Sequence, residues 1–214
     1  MKKLVLWLIP LLVYGLGAQA QISTSYLWHL HQPTYWGDVS KKNPNRYQMV
    51  KESQDLKTSG ANNDKNGLAH PTNNLVEIFS TGDRVAAYQF APKNAISSIA
   101  DLPKAGAQIT YGGSLMENVQ ELAQANQWGY STSWTQNIKD AKSWKTSGGF
   151  PRMEVVSFTM HHALSPLLSD EALTKEIKAH QYYSAQLFGT HDSKGYGPAE
   201  CAFSDRIIKT LKEC

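Results

Sequence analysis

Residues 153–189, MEVVSFTMHHALSPLLSDEALTKEIKAHQYYSAQLFG, carry the clearest secondary-structure signal of the chain. Glu154–Phe158 is an apolar, β-branched run, which predicts a buried strand. Ser169–Leu187 is predicted to be a long helix, because Ser169 is a good N-cap and acidic residues occupy the first turn. Gly189 follows the helix, as a C′ glycine often does. A strand followed by a helix is typical of α/β folds.

The rest of the chain extends this alternation. Ile22–His31 is a predicted strand, because apolar residues alternate with smaller or polar ones, and Ala107–Tyr111 is a second candidate. Ser114–Gln127 is a predicted helix with one apolar face. Lys194–Cys201 is predicted to be a short strand or strand end, and Ser204–Cys214 a helix that Ser204 caps. This order predicts a parallel sheet with crossover helices, a barrel-like α/β fold.

Three further segments are less regular. Asn43–Asn66 is polar and poor in apolar residues, which predicts a long surface loop. Asn73–Thr81 is a predicted short helix, and Trp128–Gly149 is predicted to form short helical pieces and loops. A closed (β/α)8 barrel typically takes ~250 residues. The few strands predicted in residues 21–214 cannot close a barrel, so we expect an incomplete domain.

The first twenty residues predict export. Lys2 and Lys3 form a positively charged start, Leu4–Leu16 is largely apolar, and Ala18-Gln19-Ala20 provides the small residues that a signal peptidase recognises. Residues 1–20 are therefore a predicted signal peptide, with cleavage before Gln21 and a secreted or periplasmic product. A retained amino-terminal anchor is the alternative, although the apolar run is shorter than the ~20 residues that span a bilayer.

The net charge restricts the classes of molecule that the chain can bind. Removal of residues 1–20 takes away two lysines and no acid, so the formal charge falls from +3 to +1. Such a chain lacks the positive charge that binds nucleic acid or, after signal cleavage, a membrane surface, and a neutral sugar polymer fits better.

Cys201 and Cys214 flank a predicted helix that holds their thiols too far apart for a disulfide.

Polar residues gather where the predicted strands end. His29 and His31 end the first strand, Thr159–His162 follow the strand at Glu154–Phe158, and Glu200 lies at the last strand end. In parallel α/β folds the carboxyl ends of the strands meet at one edge, where active sites are built. We therefore expect these side chains to form a site.

Four segments, taken in order, resemble glycoside hydrolase family 57, which includes α-amylases, 4-α-glucanotransferases and branching enzymes. Tyr26–Tyr35 resembles the opening motif around His-Gln-Pro, and Gly113–Asn118 a Gly-Ser-Leu-x-Glu stretch. Met153–Leu168 resembles the Val-Glu strand and its His-x-x-x-Pro-Leu-Leu continuation. Gly195–Ser204 resembles the Pro-Glu-Cys segment that carries the family's nucleophile. The resemblance spans nearly the whole chain after residue 20.

The resemblance implies a retaining hydrolase of α-glucans or oligosaccharides, with no cofactor or metal, built on an incomplete (β/α)7-type barrel with parallel strands and crossover helices. Residues 21–214 would be the amino-terminal part of this catalytic barrel. Glu200 would be the carboxylate nucleophile, and a second carboxyl group would act as acid and base. In the family that aspartate lies beyond position 214, so we expect this chain alone to be nearly inactive. The resemblance also assigns His31, Glu154 and His162 to substrate binding, and we add their neighbours His29 and Trp28 as candidates.

Two positions depart from the family pattern. Pro151 replaces a glycine three residues before Glu154, and Gly197 stands where a bulkier residue is common, which predicts a more open pocket near Glu200.

Two other functions fit parts of the sequence. In a metal-dependent carbohydrate deacetylase, histidines and carboxylates would hold the metal ion, and stoichiometric zinc would favour that function. A non-catalytic glycan-binding remnant would bind sugar without hydrolysis.

Overall fold

The computed structural model describes residues 25–60 and 73–214. The predicted signal peptide and the start of the predicted strand Ile22–His31 lie outside these ranges. In the described part the strands are β1 (Leu27–Leu30), β2 (Ala107–Tyr111) and β3 (Met153–Val155). The helices are α1 (Val50–Ser59), α2 (Leu75–Ser80), α3 (Gly82–Gln89), α4 (Ala91–Ser98), α5 (Gly113–Gln124), α6 (Trp134–Ser143), α7 (Asp170–Phe188) and α8 (Ile208–Glu213). Short 3₁₀ turns occur at Ser165–Leu167, Ala199–Cys201 and Asp205–Ile207.

The strands form a parallel sheet in the order β1-β2-β3. The register pairs His29 with Thr110 and Gln108 with Glu154. Helices connect successive strands, because parallel neighbours require crossovers. The predicted α/β class, an incomplete barrel with parallel strands and crossover helices, is thereby confirmed.

The two faces of the sheet differ in character. One face is covered by helices: Ile109, Tyr111, Met153 and Val155 are buried there with side chains of α5 and α6. Because side chains alternate along a strand, the intervening residues share the opposite face. We call this the polar face, and it consists of Leu27, His29, Gln108, Thr110 and Glu154.

Several predicted elements are confirmed. Ala107–Tyr111 is β2, and the predicted helix at Ser114–Gln127 is α5. The Ser169 hydroxyl accepts a hydrogen bond from the amide of Ala172 at 3.2 Å and caps α7. Gly189 ends that helix at a φ of +80°, a conformation that favours glycine.

The predicted loop Asn43–Asn66 is wrong in part, because Val50–Ser59 forms α1. Its inward face carries Glu52, which is only 2% exposed. The Glu52 carboxylate accepts hydrogen bonds from the Ser40 hydroxyl at 2.6 Å and the Lys41 amide at 2.7 Å. A helix that buries a hydrogen-bonded carboxylate lacks the apolar periodicity on which the prediction depended.

The predicted strand boundaries near the site also change. β3 covers Met153–Val155 rather than Glu154–Phe158. Within the predicted strand at Lys194–Cys201, Tyr196 makes an isolated parallel bridge to Ser157, and Ala199–Cys201 is a 3₁₀ turn. Ser204 occupies the N-cap position of the 3₁₀ turn Asp205–Ile207, which leads into α8, although its side chain makes no capping hydrogen bond. Within Lys194–Cys201, Pro198 has no amide hydrogen, which prevents a regular ladder of strand hydrogen bonds.

Two features of the described residues concern thiols and membranes. Cys201 and Cys214 are both free thiols. None of the helices in the described ranges has the length and apolar character that crossing a bilayer requires.

Gly113→Ala should destabilise the protein by about 1–3 kcal/mol, because overpacking displaces neighbouring atoms. A β-carbon at position 113 would lie 2.2 Å from the sulfur and 2.3 Å from the carbonyl oxygen of Met160. Gly82→Ala is the matched control, since Gly82 also begins a helix and a β-carbon there meets nothing within 4 Å. Urea unfolding measures both free energies. Equal stability of the two variants would contradict the close contact at Gly113.

Candidate active site

Side chains from each part of the sheet gather at its carboxyl edge, as the strand ends predict. His29 lies on β1 and Thr110 on β2, both on the polar face. Phe158 and His162 follow β3, and Glu200 lies in the 3₁₀ turn at Ala199–Cys201. A pocket of about 370 Å³ lies between His29, Thr110, Phe158 and Glu200. Its lining consists of Leu27, His29, Thr110, Phe158, Gly197, Pro198, Glu200 and Cys201.

Three imidazoles form the base of the site. The Nε2 atoms of His29 and His162 lie 3.1 Å apart, and the Nδ1 atom of His29 lies 2.7 Å from the Thr110 hydroxyl oxygen. The His31 and His162 rings stack with centroids 3.7 Å apart and an interplanar angle of 17°. His29 and His31 therefore belong to one cluster, and His162 joins them from a different segment.

Burial keeps these imidazoles neutral. Burial, together with the smaller effects of the neighbouring His162 and His29 imidazoles, lowers the pKa of His31 to about 4. Burial likewise lowers the pKa of His29 and of His162, although the Glu200 carboxylate acts in the opposite direction on both. A neutral imidazole has one donor and one acceptor nitrogen. The cluster can therefore both donate hydrogen bonds to sugar hydroxyls and accept them.

The absence of a β-carbon at Gly112 leaves room for the His31 ring. A β-carbon at Gly112 would lie 2.8 Å from its Nδ1 atom. That nitrogen is buried and has no hydrogen-bond partner among the described residues.

Glu200 lies at the rim of the pocket. Its Oε1 atom is 3.5 Å from Nε2 of His162, and 70% of its side chain is exposed. Its backbone has a φ of +52°, the left-handed region that non-glycine residues rarely occupy, and His162 and Cys201 share this conformation. Such strain costs on the order of 1–3 kcal/mol per residue and is common at functional sites.

Two sequence candidates lie apart from the histidine cluster and Glu200. Glu154 lies on the polar face, but its pairing with Gln108 places it about 7 Å back along the strand direction from the level of His29. Its carboxylate accepts hydrogen bonds from Gln108 and Ser193 and borders a separate cavity. Trp28 pairs with the buried core residue Ile109 and therefore lies on the helix-covered face.

Sequence reasoning missed Thr110 and Phe158. Thr110 could have been found, because it lies two residues after Gln108 and so shares the polar face of a predicted strand. Phe158 was assigned to a buried strand, and its ring packs 5.1 Å from that of His29 and 5.3 Å from that of His162.

The predicted opening of the pocket at Gly197 is wrong. A β-carbon there would lie 2.6 Å from the Thr110 methyl group. The glycine therefore lets this segment pack tightly on β2. In the described ranges no group of three or more His, Cys, Asp or Glu residues is arranged to hold a metal ion.

Comparison with known proteins agrees with this architecture. A family model described as glycosyl hydrolase family 57 matches residues 25–214. An alpha-amylase of Niallia circulans is 29% identical over 214 residues, which is 91% of this chain and 17% of the relative. The crystal structure of a 4-alpha-glucanotransferase from Thermococcus litoralis matches in fold with a TM-score of 0.50 and 14% identity. That match covers 88% of this chain and 20% of the transferase. The chain thus spans about a fifth or less of the length of these relatives.

Acid should weaken the fold through His31 and His180, both with pKa values lowered to about 4 by burial. Between pH ~6.5 and ~4 the unfolded chain binds protons that the folded chain does not. The free energy of unfolding therefore decreases as the pH is lowered through this range. His31→Asn should reduce proton uptake on unfolding near pH 5 by up to about one proton. Urea unfolding at pH 4.5, 5.5 and 7.5 measures this.

His161→Asn is the opposite-sign control. The Glu176 carboxylate raises the pKa of His161, so its stabilisation is present below pH ~6.5 and is lost as the pH rises through the raised value. This variant should lose stability mainly at low pH. If His31→Asn leaves the slope unchanged, the neutral state assigned to His31 is contradicted.

Proposed function

This chain belongs to glycosyl hydrolase family 57, and from that membership we propose that it acts on α-linked glucans by a retaining mechanism in which Glu200 is the nucleophile. One observation supports this role above all: the Glu200 carboxylate lies 3.5 Å from the His162 imidazole at the rim of the pocket. A nucleophile must reach the anomeric carbon of a sugar that neighbouring groups hold in place.

The pocket suits a neutral sugar. The neutral imidazoles of His29, in the pocket lining, and of His162, beside it, provide both donor and acceptor nitrogens, as adjacent sugar hydroxyls require. In the proposed first step a Glu200 oxygen bonds to the anomeric carbon as the bond to the leaving oxygen breaks. The product is a covalent glycosyl ester. Transfer of that sugar to water or to another glucan would distinguish a hydrolase from a transferase.

The described residues that line the pocket lack the second carboxyl group that this chemistry requires. A retaining enzyme places it ~5–5.5 Å from the nucleophile to protonate the leaving oxygen. Glu200 is the only carboxylate among the described residues that line the pocket. We propose that this chain by itself binds glucan and reacts slowly with natural substrates. This same observation favours the second candidate, a glycan-binding protein without turnover.

A substrate that needs no general acid tests the nucleophile directly. In 5-fluoro-α-maltosyl fluoride, the C1–F bond breaks as fluoride departs without protonation, and the Glu200 oxygen bonds to C1. We expect the full chain to accumulate a glycosyl ester on Glu200, located by mass spectrometry of the digested protein. Glu200→Gln should abolish the adduct, because an amide is a poor nucleophile, while maltooligosaccharide binding by calorimetry is largely retained.

Glu171→Gln is the matched control, because Glu171 is exposed on α7 and pairs with Lys175. It should be labelled at the wild-type rate on Glu200. An adduct on another carboxylate would refute the nucleophile assignment. Sugar binding without any adduct would favour the glycan-binding protein.

Export is the remaining proposal about function. We propose that residues 1–20 are removed and that the mature protein, secreted or periplasmic, begins at Gln21, where it would meet glucans outside the cytoplasm. Expression of the full chain with its own leader, followed by mass measurement of the intact product, tests the cleavage site. A product that retains Met1–Ala20 in an exporting host would contradict it.

A further inference from the structure

We propose that Glu176 of α7 is a positioning residue of the candidate site, because its carboxylate clamps the Met160–His162 turn and so holds the His162 imidazole against Glu200. The inference about geometry stands on contacts of the described residues. Its consequence for sugar chemistry rests on the function proposed above.

The clamp consists of three hydrogen bonds to consecutive residues. The Glu176 Oε2 atom accepts from the backbone amide of His161 at 2.8 Å, and its Oε1 atom lies 2.7 Å from the His161 Nδ1 atom. The backbone carbonyl of Glu176 accepts from the amide of Met160 at 3.2 Å. One residue of a long helix therefore holds both the backbone and a side chain of the turn.

The turn has few hydrogen bonds of its own, one of them from the Thr159 hydroxyl to the Ala163 carbonyl at 3.2 Å. His162 has a φ of +58°, which is unfavourable for a residue with a β-carbon. Its amide donates to the Thr159 carbonyl at a long 3.4 Å. Without the clamp, the turn would lower its free energy by relaxing toward an ordinary backbone conformation. This relaxation would rotate the His162 side chain.

The opposite side of the turn rests on α5. The Met160 carbonyl accepts from the Ser114 amide at 3.2 Å, and Gly113 leaves no space between the helix start and Met160. The turn is thus held between α5 and α7. The His161 side chain extends toward Glu176 of α7, whereas the His162 ring stacks on that of His31 and lies beside Glu200.

The charges around His161 strengthen the clamp. Hydrogen bonding to Glu176 raises the pKa of His161, and the Glu117 carboxylate on α5 raises it further. The Tyr47 hydroxyl donates to Glu117, and the Tyr47 ring lies edge-on to His161 with centroids 6.2 Å apart. A protonated imidazole makes a charge-assisted bond to Glu176, which is stronger than a neutral one. The pKa values of these adjacent histidines therefore shift in opposite directions, upward for His161 in the clamp and downward for His162 in the site.

The test replaces Glu176 in the full chain and observes His162 directly. Histidine-selective ¹⁵N and ¹³C labelling with NMR would record the pKa of His162 and the ring contacts between His162 and His31. In Glu176→Ala we expect the contacts to be lost and the lowered pKa of His162 to move toward 6.5, since the ring leaves its buried position. In Glu176→Gln the amide oxygen can still accept from the His161 amide, so the contacts should persist while the pKa of His161 falls.

Glu171→Ala is the control on the same helix, because its exposed carboxylate pairs with Lys175 and lies outside the clamp. It should leave both histidines unchanged. If Glu176→Ala does not fold, Glu176→Asp replaces it, since a side chain shorter by one methylene cannot reach the His161 amide and ring together. Unchanged His162 contacts and an unchanged pKa in a folded Ala or Asp variant would overturn the inference.

A second measurement separates this inference from the proposed function. The rate of Glu200 labelling by 5-fluoro-α-maltosyl fluoride should fall on the order of tenfold in Glu176→Ala and recover in Glu176→Gln, because misplaced groups lose catalytic orientation. Loss of the His162 contacts in a protein that never labels would support the clamp and refute the nucleophile. Wild-type labelling in a variant whose His162 contacts are lost would overturn the positioning role.

Discussion

The contact between Gly113 and Met160 is the constraint on which the site depends. It brings the segment after β3 directly onto the start of α5, where no side chain heavier than hydrogen fits. The chain must then reverse within Met160–His162, and the reversal forces His162 into the left-handed region. Bonds from Glu176 and Ser114 hold this unfavourable conformation in place.

A second constraint is electrostatic. Neutral imidazoles stack because no charge repulsion separates them, and burial ensures that His31 stays neutral near pH 7. Glu200, by contrast, lies at the exposed rim of the pocket, with 70% of its side chain accessible to water. Partly buried, uncharged imidazoles therefore lie beside one exposed carboxylate.

Local signals predicted the fold where they were strong. Helix α7 begins after Ser169 and ends at Gly189 as expected, because caps and left-handed glycines act through their immediate neighbours. The prediction failed at α1, whose inward side carries the hydrogen-bonded Glu52, and at Lys194–Cys201, where Ala199–Cys201 turns instead of continuing a strand. Both errors come from segments whose conformation depends on partners distant in the sequence.

The sequence by itself determined the α/β class, the family resemblance and the strand-end grouping of His29, His31, His162 and Glu200, because alternation and residue order follow from the chain alone. Only the tertiary structure decided which candidates meet. It turned Trp28 to the helix-covered face, left Glu154 at a separate cavity and brought Thr110 to His29. The physical reason is that strand register and close packing join residues far apart in sequence, and no local pattern specifies either.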